Sequence, residues 1–209
     1  GEGTEEVTST NVAKIGDTEY ATLQKAIDAA TDGATITLIA GEYKLSGNIP
    51  YTGKSLTIEA ADNANVKIDM STATAVHDAV LTFKGLEFDY ATNSNYTGLQ
   101  HANTLTYNDC VINGFTVLYG VNETFTNCTF NQTENDKYNV QIYGSTNVSF
   151  SGCHFYGTNK NAYIYQETLN SDKNVTFTSC DFHMSGNTVN ASDTKSAVML
   201  NAPVDYAGH

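Results

Sequence analysis

Between residues 34 and 201 apolar side chains recur at every second position in short runs, and clusters of Asn, Gly, Ser and Asp separate the runs. Thr35-Ile-Thr-Leu-Ile39, Leu56-Thr-Ile58, Val66-Lys-Ile68, Leu81-Thr-Phe83 and Leu86-Glu-Phe88 all follow this alternation. It marks strands with one buried face, and the intervening residues favour turns and tolerate left-handed backbone. A longer pattern is superimposed. Tyr107-Asn-Asp-Cys110-Val-Ile112, Phe125-Thr-Asn-Cys128-Thr-Phe130, Phe150-Ser-Gly-Cys153-His-Phe155 and Phe177-Thr-Ser-Cys180-Asp-Phe182 are copies of one phrase, and Phe83-Lys-Gly-Leu86-Glu-Phe88 is a degenerate copy. Their Leu and Cys positions lie 24, 18, 25 and 27 residues apart. A second strand follows each Cys phrase: Val117-Leu-Tyr119, Val140-Gln-Ile-Tyr143, Ala162-Tyr-Ile-Tyr165 and Ala197-Val-Met-Leu200. Repetition at this period predicts an all-β solenoid, each turn of chain stacking on the one before. Two or three short strands per turn specify a parallel β-helix of about six coils over residues 34–201.

Ahead of the solenoid the period changes. Leu23, Ala26, Ile27 and Ala30 recur at helical spacing, Thr22 is placed to cap the N-terminus and Gly33 to end the helix. Gly16-Asp17 marks a turn between two short strands. Residues 11–33 therefore form a cap whose helix covers the first coil's open end, where an unpaired strand edge would otherwise stand. Residues 1–10 and 202–209 read as tails. The tail at 202–209 offers no capping helix, so the far end is expected to be covered by a partner, by the tail itself or by more of a longer parent chain.

The formal net charge of −13 repels phosphate, which excludes nucleic acid as a partner. All ten basic residues are lysine, so the bidentate guanidinium clamp for carboxylate or phosphate is missing. No run of 18 apolar residues exists to cross a membrane as a helix. The chain starts with Gly rather than Met and reads as a fragment of a longer one. The four cysteines occupy one position in consecutive coils and read as a ladder of buried thiols acting as small hydrophobes. Coils lie about 4.8 Å apart, so distance alone does not exclude a bridge between neighbours. A row of thiols without a CxxC pair does not make a zinc tetrahedron.

The stretch Val12-Ala-Lys-Ile-Gly-Asp-Thr-Glu-Tyr-Ala-Thr-Leu-Gln-Lys-Ala-Ile-Asp-Ala-Ala30, with Asp32-Gly-Ala-Thr-Ile-Thr-Leu38 after it, resembles the opening of modules from bacterial cell-surface proteins. The repeats that follow resemble the right-handed, single-stranded parallel β-helices of the pectin-lyase-like superfamily. The resemblance implies a bacterial, extracellular or cell-surface location. It does not choose a function, because that superfamily holds lyases, hydrolases and adhesins alike. Pectate-lyase-like members abstract a proton with a basic residue, often arginine, and polygalacturonase-like members carry Asn-Thr-Asp, Asp-Asp, Gly-His-Gly and Arg-Ile-Lys. This chain has no arginine and none of those four motifs.

Two surfaces carry candidate chemistry. Aligning the phrases gives outward columns Glu87, Val111, Thr129, His154, Asp181 and Asp89, Asn113, Asn131, Tyr156, His183. His154, Asp181 and His183 thus share one patch as acid/base candidates, against the plainer reading of a solvated strand face. Tyr119, Tyr143 and Tyr165 align on the second strand, with Tyr163 nearby. Exposed rings of this kind suit sugar faces, and stacked tyrosines equally stabilise a sheet; Tyr156 joins them as a ligand-binding candidate. The seven Asn-x-Ser/Thr triplets, Asn95 and Asn190 among them, are what an Asn- and Thr-rich chain produces by composition. No calcium loop is present, and no cofactor or metal is expected. The expected function is a non-catalytic, adhesin-like module binding carbohydrate or a host-surface ligand. A polysaccharide-active enzyme and a structural spacer within a larger surface protein are the alternatives.

Overall fold

The computed structural model describes residues 10–45, 54–71, 74–75, 79–90, 99–100, 104–135, 137–166, 172–185 and 195–201, with 74–75 and 99–100 as backbone only. Residues 1–9 and 202–209, Asn95 and Asn190 lie outside them. The described chain is a parallel β-solenoid. One sheet stacks Thr35–Leu38, Ser55–Ala60, Val80–Lys84, Thr104–Asn108, Asn122–Thr126, Asn147–Ser151 and Asn174–Thr178 in parallel. A second stacks Gly41–Lys44, Val66–Asp69, Glu87–Asp89, Val111–Asn113, Thr129–Asn131, His154–Gly157 and Asp181–Met184. A third holds Thr116–Leu118, Val140–Ile142, Lys160–Tyr165 and Ser196–Asn201, while Thr74–Ala75 pairs with Leu99–Gln100. The stack amounts to about five turns where the sequence predicts six. The count depends on the ends, because only the inner five of the seven rungs in the first two sheets have parallel neighbours on both sides.

The repeated phrase is the corner between the first and second sheets. The residue before each Leu or Cys takes positive φ: Gly85, Asp109, Asn127, Gly152 and Ser179, at 66°, 54°, 53°, 62° and 53°. Gly, Asp and Asn reach this region at low cost. That one left-handed residue turns the chain, and its N–H still bonds the next rung, as from Asp109 to Thr126 O at 3.0 Å and from Asn127 to Ser151 O at 2.9 Å. Stacking therefore continues around the bend without an orphaned amide.

The cysteine then points inward. All four are free. Cys110, Cys128 and Cys153 are buried, and Cys180, in the last described rung of that sheet, is partly exposed. Each sulfur lies 3.3–3.6 Å from two carbonyl oxygens, one two residues back and one on the preceding rung. A thiol is small enough for the corner and brings a donor that Leu86 lacks. Contact with the Cys128 thiol and then burial hold Cys153 far above the ordinary thiol range, and burial raises Cys180. Both stay protonated and unreactive at neutral pH.

Two aromatic files fill the interior. Tyr107, Phe125, Phe150 and Phe177 stack with centroids 4.5, 5.1 and 4.9 Å apart and planes within 12°. Phe130, Phe155 and Phe182 form the second file, at 4.8 Å per step. Edge-to-face contacts join the files, as between Phe125 and Phe130 at 5.1 Å. A buried asparagine stack closes the passage from the second sheet to the third. Asn139 Nδ2 donates to Phe130 O and Tyr156 O, both at 3.1 Å, and Asn161 Nδ2 donates to His183 O at 3.0 Å. A Cβ on Gly157 would stand 2.0 Å from Asn161 Oδ1, so only glycine fits there.

At the start, Ala13–Ile15 and Thr18–Tyr20 form the expected hairpin, with Gly16 at φ 57°. The hairpin pairs antiparallel with Thr35–Leu38, which ends the parallel stack. The helix Leu23–Ala29 is capped by Thr22, whose Oγ1 accepts from Lys25 N–H at 3.1 Å, and it buries Leu23, Ala26 and Ile27. One expectation is corrected here. The helix ends at Ala30, in extended backbone, because the buried Ala30 already directs the chain toward the first strand. Gly33 belongs to the following turn, at φ 82°, and its N–H bonds Ser55 O at 2.7 Å.

Packing quality should fall from the middle rungs to the last. Phe150→Ala removes a fully buried ring with stacked neighbours on both sides and should cost about 3–5 kcal/mol. Phe177→Ala, at a half-buried position, should cost less. Urea unfolding of both variants checks the ordering; equal losses would mean that the last rung is packed as tightly as the interior.

Candidate functional site

Because Phe155 and Phe182 point inward, the residues on either side of each point outward. His154 pairs with Asp181 and Tyr156 with His183 across adjacent strands of the second sheet. Asp181 Oδ1 meets His154 Nδ1, and Asp181 Oδ2 lies 2.5 Å from His183 Nε2. One carboxylate thus bridges two imidazoles. Bonding from His183, and secondarily from His154, holds the Asp181 carboxyl below the usual carboxylate range. The Tyr156 ring stacks on the His183 ring at 4.7 Å and 10°. The side chains of His154, Asp181 and His183 are 49%, 42% and 55% exposed, so this is an open surface rather than an enclosed cleft. Chemically, the carboxylate orients both imidazoles and leaves each its second ring nitrogen for a ligand. No group of three His, Cys, Asp or Glu side chains arranged to hold a metal occurs among the described residues.

The same two columns run back along the solenoid as a polar ladder. Asn131 Nδ2 donates to Asn113 Oδ1 at 3.0 Å, and Asn113 Nδ2 to Glu87 Oε1 at 2.6 Å. A depression of about 300 Å³ lies alongside, lined by these three with Lys67, Asp89 and Glu134 among others.

The second surface is the outer face of the third sheet. Val140 and Ile142 are fully buried in the core, which turns Gln141 and Tyr143 outward. Tyr119, Tyr143 and Tyr165 form a row, with centroids 5.7 and 5.6 Å apart at 65° and 7°. Tyr163 stands 6.0 Å from Tyr165 and 4.9 Å from Tyr138. Phe115 and Lys160 also contact Tyr138. All the tyrosines here are half-exposed. The face of Tyr143 toward the next rung is spent on Tyr165, and the Tyr163 hydroxyl accepts from Asn201 Nδ2 at 2.7 Å. Tyr156 is not part of it and belongs with His183 on the other sheet.

Between these rings lies Gln141, opposite Val117 on one side and Tyr163 on the other. It is 5% exposed, and its Oε1 accepts no hydrogen bond among the described residues. Sequence pattern did not single out Gln141. It missed Glu123 as well, which lies in the inward column Leu81, Leu105, Glu123, Val148, Val175 and is 2% exposed. Burial pushes this carboxyl up to about 8. The signal was available, since a glutamate two residues before Phe125 breaks an apolar column.

No family model, no curated protein and no solved structure matches this chain. The parallel β-solenoid is established by the pairing register alone.

The bridging arrangement has a direct spectroscopic consequence. The Asp181 carboxyl should titrate below an ordinary aspartate in carbon-detected NMR. His183→Ala should return it toward the ordinary range by more than His154→Ala does; no response to either substitution would mean that the bridge does not persist in solution.

Proposed function

We propose that this chain is a non-catalytic, surface-displayed or secreted module that binds carbohydrate along the tyrosine-bearing flank of a pectin-lyase-like β-helix. The observation that carries this reading is Gln141. Rings in a row stabilise a sheet whether or not anything binds. Gln141 Oε1 is buried and lacks a donor among the described residues, and a ligand hydroxyl recovers that cost only where binding parts the rings around it. The tyrosine hydroxyls around it donate and accept, and the ring edges give apolar contact, which together suit the alternating polar and apolar surface of a sugar. The row of Tyr119, Tyr143 and Tyr165 itself contains no charged side chain, which favours a neutral glycan.

A second reading rests on the Asp181 bridge. An imidazole oriented by a carboxylate is the arrangement of a general base, and it favours a polysaccharide hydrolase or lyase. The openness of the patch weighs against it, because acid–base work gains from excluding water.

Binding by a panel of neutral and acidic glycans on an array separates the two. Tyr143→Ala, Tyr165→Ala and Gln141→Leu should each weaken retention of a neutral glycan by about 10-fold, roughly one lost hydrogen bond or ring contact. Retention unchanged in all three would remove the flank as a binding surface. Polysaccharide cleavage lost in His154→Ala would favour the enzyme instead.

A further inference from the structure

Glu123 occupies an apolar column, with Leu105 opposite on one rung and Val148 on the next. Its Oε2 accepts from Gly120 N–H at 3.1 Å and from the Ser145 hydroxyl at 2.8 Å. Those donors sit just beyond two members of the tyrosine row: Gly120 follows Tyr119, and Ser145 stands two residues after Tyr143. The Ser145 corner is gripped from the next rung as well. Lys173 Nζ donates to Tyr143 O at 2.9 Å and to Ser145 O at 2.8 Å. The backbone leaving Tyr143 is therefore clasped between a carboxyl inside the solenoid and an ammonium from the neighbouring rung.

The titratable groups around Glu123 are few. The phenols of Tyr90 and Tyr107 face it, and burial holds both above their ordinary range. The thiols of Cys110 and Cys128 lie beyond Tyr107. Lys173 stands at the corner, and the column neighbours are aliphatic. An interior cavity lined by Tyr90, Tyr107 and Phe125 among others measures about 10 Å³, which is at the limit for a single water, and an open depression of about 320 Å³ is lined by Glu123 with Asn122, Thr124 and Val148 among others. Among the described residues no cation pairs with a carboxylate formed here; its partners are the Gly120 N–H and the Ser145 hydroxyl.

We propose that Glu123 is a proton-controlled latch on the corner that carries Tyr143: the neutral carboxyl holds it shut, and loss of the proton opens it and unseats the tyrosine row. An uncompensated charge in this interior is costly. It is relieved by admitting water or by approaching the Lys173 ammonium. Both routes displace Ser145, and with it the carbonyl of Tyr143. The latch is a property of the free chain and needs no glycan.

The direction follows from linkage. The folded-state pKa is raised to about 8 by burial, while an unfolded glutamate titrates near 4.3. The folded state thus holds the extra proton between those values. The stability that Glu123 contributes is complete below about pH 4.3 and is lost as pH rises toward 8.

Amide hydrogen exchange across residues 143–147, corrected for the intrinsic effect of pH, tests the latch. In the wild-type chain, protection there should fall by up to about 10-fold for each pH unit as pH rises from about 5 toward the folded carboxyl's pKa of about 8 and level off above it, while the amides around Phe150 stay protected. Glu123→Gln should hold protection constant from pH 6 to pH 9. Glu123→Leu, which restores the residue type of Leu81 and Leu105, should do the same and serves if the amide variant fails to fold. An equal fall in the variants, or no fall in the wild-type chain, overturns the proposal.

Discussion

Register between rungs is the constraint on which the structure depends. Each strand residue of one turn lies against its counterpart in the next, so a side chain suited to one rung must suit the whole file. The single left-handed residue before each Leu or Cys enforces this. It bends the chain at the same place in each turn, and the bonds on both sides of the bend continue, as from Thr129 N–H to Cys110 O at 3.0 Å. Without it, the flanking aromatics would fall out of line and the two interior files would not form. Ser179 shows how strict the geometry is: a serine adopts φ 53° to keep the bend, although the region favours Gly, Asn and Asp.

The features legible in sequence were those fixed by register. The Cys phrase located the corners because a bend that tolerates few residues leaves a readable signature. Phe150 and Phe155 fixed the parity of their strands, so the outward columns from Glu87 to Asp181 and from Asp89 to His183 match the observed pairing. The apolar helix face, Leu23, Ala26 and Ile27, was equally plain. The end of that helix was not. Gly33 is a residue that ends helices, but burial of Ala30 stopped this one earlier, and tertiary packing has no local signature. The orientation of the tyrosine rings was also hidden. Alignment places three rings in a row and does not reveal that Tyr143 and Tyr165 would meet face to face.

Files of like residues satisfy themselves. Asn174 donates to Asn147 and Asn147 to Asn122, and each amide spends its hydrogen on the next. On the outer face of the first sheet, Thr35, Thr57, Thr82, Thr106, Thr124, Ser149 and Thr176 align as one hydroxyl file, suited to a solvated strand surface. Such rows stabilise the stack and leave little for a ligand. Their very regularity makes them poor candidates for a specific site.

Chemistry therefore belongs where a file is interrupted. Asp181 follows Thr129 and His154 in its column, and the break creates the bridge between two imidazoles. Gln141 falls between Val117 and Tyr163, and neither neighbour can donate to its oxygen in the way an asparagine file would. Glu123 interrupts Leu105 and Val148, and the rung answers with Gly120, Ser145 and Lys173 drawn from three different turns. Each interruption costs stability that a like residue would have kept, since a Leu at 123 or a Val at 141 would satisfy the register with no polar atom to accommodate. Two of the three converge on the same strand, Val140–Ile142, and the corner after it. The outer acceptor and the inner carboxyl thus bracket Tyr143 from opposite sides, so a change in the charge of one is felt at the backbone that positions the other.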